Sequence, residues 1–134
     1  MEQKFIIGDI VEYDNKIMVV KEPRDGNHFD LSCPKEGLEY CFVSVDEIKP
    51  VSLNPEILEK NGWRTQNRWY YYLDVAEGFI SYIGIDFKHK SNKGYLYVGV
   101  DGNNMVEIQY CHELQHFLFG LELTQKWRCR YEQI

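Results

Sequence analysis

An α+β fold is predicted: a small SH3-like barrel or curled sheet, a short helix, then an antiparallel sheet packed with one C-terminal helix. Three observations predict it. Short runs of β-branched and aromatic residues, separated by turn residues, fill residues 10–43 and return over 69–109. One segment, residues 110–121, repeats its apolar residues with the period of a helix. Aromatics reach 15% of the chain, with ten tyrosines, which suits sheets better than a helical bundle.

The elements follow in order. Ile10, Val11 and Tyr13 precede the turn pair Asp14-Asn15, and residues 17–20 return, predicting a hairpin. Residues 23–27, Pro-Arg-Asp-Gly-Asn, read as a turn, and residues 34–37 as another, between short strands at 29–31 and 38–43. Asn54 suits an N-cap, Pro55 the first helical position and Gly62 the stop, so a helix is expected over 55–61. Strands are expected at 69–73, 79–85, 95–100 and 105–109, the last after an Asp101–Asn104 turn that lacks the ligand spacing of a calcium loop. Residues 126–131 are expected to form a last strand or a packed tail. The chain divides into a barrel-like module over 1–50 and a helix-plus-sheet unit over 51–134, packed as one compact body.

Net charge is −6, which argues against binding that depends on nucleic-acid phosphates, since that draws on clustered Lys and Arg. Arg64, Arg68, Lys88, Lys90 and Lys93 fall on expected loops. No apolar stretch matches a signal peptide or membrane span, and Cys33, Cys41, Cys111 and Cys129 show no C-x-x-C spacing, so a cytoplasmic protein with reduced thiols is expected. No phosphate-binding, dinucleotide or nucleophile-elbow motif occurs, and no cofactor is implied. His28 and His89 stand beside turns with no partner suggested by the sequence.

The segment YCHELQHFLFGL at 110–121 contains His112-Glu113-x-x-His116, the zinc-binding pattern of metalloproteases. Two His at i and i+4 on a helix can share a metal, and the Glu between them can act as general base. Tyr110, Leu114, Phe117, Leu118 and Leu121 form a core-facing stripe, which sets His112, Gln115, His116 and Phe119 on the opposite, exposed side. A third ligand is poorly provided: Glu122 has the spacing of the third ligand in the extended motif, but Phe119 stands where that motif has Gly. An ordinary helix surface is the preferred reading over a zinc hydrolase using His112, His116 and Glu122 with Glu113 as base.

The second aromatic cluster, Tyr70 and Tyr72 with Tyr95 and Tyr97, offers either stacking faces for single-stranded nucleic acid or anchors for a protein partner. Alternate packing and exposure across a sheet is the plainer account.

Three segments carry a resemblance. IKPVSLNPEILEKNGW at 48–63 is similar to the I-K-P-I-P-L-T-E-E-x-L-x-x-x-G-F segment of small uncharacterised proteins of bacterial phages and integrated mobile elements. YCHELQHFLF at 110–119 resembles their closing Y-V-H-x-L-Q-N-L-Y-F, and IGDIV at 7–11 their G-N-x-V start. No motif covers residues 64–104. The resemblance implies a phage or mobile-element accessory protein with no catalytic residues to carry over. The related pattern has Gln and Asn where Glu113 and His116 stand, so base and second ligand are not part of it. The expectation is a non-enzymatic protein that binds a host protein or defence complex, as an anti-CRISPR-type inhibitor would. The exposed His112, Gln115, His116, Phe119, Tyr70, Tyr72, Tyr95 and Tyr97 are the expected contacts.

Overall fold

In the computed structural model, residues 5–77 and 80–121 are described, except for the side chains of 76 and 77. Two five-stranded antiparallel sheets organise them. The first contains β1 (Ile10–Tyr13), β2 (Lys16–Asp25), β3 (His28–Cys33), β4 (Leu38–Ser44) and β5 (Lys49–Pro50), in the order β4-β3-β2-β1-β5. It is an open sheet and not a closed barrel, so the SH3-like description applies only loosely. The second contains β6 (Arg64–Thr65), β7 (Tyr70–Glu77), β8 (Ile80–Asp86), β9 (Leu96–Val100) and β10 (Asn103–Ile108) as a simple meander. Helices α1 (Pro55–Lys60) and α2 (Cys111–Gly120) complete an α+β fold.

Local chemistry accounts for the turns. Asp14 and Asn15 both take positive φ, 53° and 61°, as do Asp101 and Gly102 at 52° and 88°; these two-residue turns match the twist of the strands they join. The Asp101 turn is shorter than expected, because Asn103 and Asn104 already pair with Val100 and Gly99. The expected turn at 23–27 is a second correction. Strand β2 runs through Pro23, opposite Phe29, and only Gly26 and Asn27 turn. Beyond Val19, β2 has no β1 partner, so the missing Pro23 N–H leaves no ladder bond unmade there. Helix α1 starts where its cap predicts: Asn54 Oδ1 accepts the Ile57 amide at 2.9 Å, and Gly62 at φ 88° follows its end.

Two apolar clusters form the interior. Phe5, Val11, Met18, Phe29 and Leu31 pack within the first sheet's cluster. Leu58, Tyr71, Ile83, Ile85, Val98, Leu114 and Leu118 join Ile10 in the other, which fixes both helices on one face of the second sheet. The linker at 51–53 runs beside the start of α2, where Leu53 N–H donates to Gln109 and Cys111 N–H to Val51. No helix of the described residues is long and apolar enough to cross a membrane. The expected final element at 126–131, with Cys129, lies outside the described residues.

Candidate functional site

In helix α2 the polar side chains of the H-E-x-x-H segment are all engaged within the protein. Leu114 and Leu118, fully buried, face the second sheet as the stripe predicts. Three of the four residues of the opposite stripe, His112, Gln115 and His116, do not stand free in water. They pack on the chain from Phe5 to Ile10, because α2 also lies against β1.

His112 is only 3% exposed, a correction to its expected exposure. Its ring stands edge-on to Phe5 at 5.0 Å and stacks with Tyr110 at 5.9 Å. Burial pushes its pKa down to about 4, with His116 adding to the shift and Glu113 opposing it. Gln115 spans two backbone groups of the opposite module: its Oε1 accepts the Ile10 amide at 3.0 Å and its Nε2 donates to the Gly8 carbonyl at 3.0 Å. His116 Nε2 meets Asp9 Oδ2 at 2.8 Å. Asp9 is 1% exposed and also accepts the Ile6 amide at 2.8 Å; burial nonetheless raises its pKa above the ordinary carboxylate value. Glu113 turns back to the helix start, where its Oε1 accepts the Gln109 and Tyr110 amides in a capping box.

Of the groups that the zinc reading requires, His112, Glu113 and His116 are thus committed to internal contacts. A general base aimed at metal-bound water needs a free carboxylate near both imidazoles, and Glu113 is aimed at backbone amides instead. Among the described residues no cluster of three His, Cys, Asp or Glu side chains could hold a metal ion. Glu122 lies outside the described residues. Of the expected exposed face, Phe119 alone stands well out, at 63% exposure, while Gln115 and His116 are half-buried.

The tyrosines assemble differently. Strict alternation along β7 buries Tyr71, Leu73 and Val75 and puts Tyr70, Tyr72 and Asp74 on the outer face of the second sheet. Cross-strand register adds Tyr82 and Gly84 from β8 and Tyr97 and Gly99 from β9 to that face. A Cβ on Gly84 would collide with the Tyr70 hydroxyl, so the Tyr70 ring lies across the glycine. Burial there raises the Tyr70 phenol to about 12, reinforced by its hydrogen bond to Tyr82 and by Asp86 nearby. Tyr72 meets Tyr82 edge-on at 6.4 Å. The Arg64 guanidinium lies 5.1 Å from the Tyr72 ring centre, donates to the Tyr72 hydroxyl at 2.9 Å and approaches Asp74 at 3.4 Å. At one end, Asn67 Oδ1 accepts the Trp69 and Tyr70 amides and fixes a turn that leaves Trp69 53% exposed. At the other side, Met105 is 60% exposed. Tyr95 precedes β9 in a tight loop, its amide donating to Ser91 Oγ at 3.1 Å, at the edge of this surface.

Lys88, Lys90 and Lys93 all fall in the β8–β9 loop, at the same sheet end as Trp69, whose carbonyl accepts the Phe87 amide. His89 and His28 pair with Asp86 and Asp25, each at 3.0 Å.

Arg64, Tyr82 and Phe42 are not among the contacts expected from the sequence. The first two are within its reach, since alternation and hairpin register place both beside Tyr72. Phe42 has no signal. It sits in a bulge of β4, opposite Asp30, at φ 56° and 60% exposed. Asp30 accepts its amide at 3.0 Å and binds Arg24 at 2.7 Å, and Arg24 lies 5.5 Å from the Phe42 ring centre. The bond from Arg24, then that from Phe42, holds the Asp30 carboxyl below its ordinary pKa.

Comparison with protein-family models, curated proteins and solved structures finds no match to this chain.

Proposed function

We propose that the chain is a non-enzymatic protein-binding module and that its contact surface is the tyrosine face of the second sheet. One observation carries this: Arg64, Tyr70, Tyr72 and Tyr82 hold one another in place on the solvent side, where alternation would ordinarily put mobile polar residues. Tyrosines present large amphipathic area with few rotatable bonds, so fixing them beforehand lowers the entropy cost of docking. Met105, beside Tyr97, extends the surface with exposed apolar area.

A host protein is the natural partner for a chain resembling phage and mobile-element accessory proteins. A defence complex in the host cytoplasm is the specific target class, as for an anti-CRISPR-type inhibitor. The test is capture from lysate of the bacterial host by the tagged chain and by a Tyr72→Ser/Tyr97→Ser variant. A stoichiometric partner held by the first and released by the second is expected. A partner retained by both, or no partner, overturns the proposal.

Single-stranded nucleic acid is the second reading, favoured by the Lys88–Lys93 loop beside Trp69. Arg64 already covers a face of Tyr72, which leaves that ring poorly placed to stack on a base. A gel shift at low salt that weakens steeply with added salt would shift the assignment to this reading.

A further inference from the structure

On the helix-bearing side of the molecule, a cleft of about 290 Å³ opens between the segment leading into α1 and the β8–β9 loop. Its floor is apolar: Leu53, Leu96 and Ile108 are buried there and Phe87 is half-buried. Asn54, Lys90 and Gln109 stand on its lip. The loop that forms one wall is held closed on itself, with Ser91 N–H donating to the Tyr95 carbonyl at 2.9 Å and Gly94 N–H to the Ser91 carbonyl at 2.8 Å.

The charge on this cleft has one sign. Among the described residues, Lys90 is the only ionisable side chain lining it, and it forms no ion pair with any of them. The acids close by in sequence are turned elsewhere: Asp86 accepts the Lys88 and His89 amides and the His89 ring, Glu113 caps α2, Glu56 pairs with Lys60 at 3.1 Å, and Glu107 lies opposite Tyr97 on the other face of the sheet. Asn54 gives its Oδ1 to the Ile57 amide, so its NH₂ is the half left for a ligand. Donors and one cation above an apolar floor match a single anionic group carried on a compact apolar body. At about 290 Å³ the cleft is at the small end of ligand pockets, so only a compact body fits.

We propose that this cleft binds a small carboxylate with a short aliphatic or aromatic body, its carboxylate on Lys90 and its body on Leu53, Leu96 and Ile108. The site is separate from the tyrosine face and does not depend on protein binding there.

The experiment is an amide-resolved NMR titration of the full chain with 3-phenylpropionate, with 3-phenylpropanamide and inorganic phosphate as parallel probes. Lys90→Gln and Lys90→Glu variants are titrated beside it; Lys90 is exposed, and the unchanged spectrum elsewhere reports that each variant folds. Saturable shifts confined to residues 52–54, 87–94 and 109 are expected with phenylpropionate. Affinity should fall about tenfold or more for the amide and for Lys90→Gln, and vanish in Lys90→Glu. No saturable shift, equal binding of the amide, or unchanged binding by Lys90→Gln overturns the proposal. Phosphate binding as tightly as phenylpropionate would overturn the role of the apolar floor.

Discussion

His116 Nε2 lies 2.8 Å from the buried carboxylate of Asp9, 107 residues away in the chain, and so ties the last described helix to the entry of the first sheet. Gln115 lies beside this pair and hydrogen-bonds the backbone on both sides of Asp9. The metal-like spacing of His112 and His116 thus serves to dock a helix whose two faces both have partners.

A double-mutant cycle measures that docking. Asp9→Ala and His116→Ala should each lower stability, with a coupling energy of about 1–3 kcal/mol in denaturant unfolding. Additive effects would mean that the pair contributes nothing. Gln115→Ala should cost about 1–3 kcal/mol by leaving the Ile10 amide and Gly8 carbonyl without that partner.

The stability contributed by neutral His112 should be lost as pH drops from about 6.5 toward about 4, while Asp9, whose folded pKa is raised, acts in the opposite direction at the acid end. The folded His112 has its pKa lowered to about 4, while the unfolded chain takes up this proton near 6.5. Between those values the unfolded state binds more protons, so the stability present above 6.5 is progressively removed, up to roughly 3 kcal/mol. Urea unfolding across this window checks it, and His112→Gln should flatten the profile.

Gly84→Ala should destabilise the fold by about 1–3 kcal/mol, because the added methyl collides with Tyr70. Its spectroscopic signature is a drop in the Tyr70 phenol from about 12 toward 10 as the ring leaves its place against Gly84. An unchanged tyrosine titration would contradict the overlay of Tyr70 on Gly84.

Phe42→Gly should keep the protein as stable as before, or stabilise it by up to about 1 kcal/mol. Glycine takes φ 56° without the side-chain clash that a bulky residue meets there, and the cation–ring pairing with Arg24 that it removes is exposed and weak. A destabilisation above about 2 kcal/mol in thermal or denaturant unfolding would show that the ring is structurally required.

Much of the fold was legible because period and turn chemistry are local. The Asp14-Asn15 turn, the Asn54-Pro55 helix start, the meander from Tyr70 to Ile108 and the buried Leu114–Leu118 stripe all follow from neighbouring residues. What α2 touches on its other face is not local. A polar stripe of His112, Gln115 and His116 reads as solvent-facing until Phe5 and Asp9, more than 100 residues earlier, are brought against it. Alternation placed Tyr70 and Tyr72 correctly on one face, but only the register shows Arg64 and Tyr82 locking them. The left-handed Phe42 depends on a bulge opposite Asp30, which no residue pattern announces.

The most direct test of the proposed division of labour compares two variants against one captured host partner. Tyr72→Ser/Tyr97→Ser should keep the wild-type fold and release the partner, whereas Glu113→Gln, which keeps an acceptor for the α2 cap, should bind as tightly as wild type. Partner binding that survives the tyrosine changes, or is abolished by Glu113→Gln with the fold intact, would contradict the assignment of the contact surface to the tyrosine sheet.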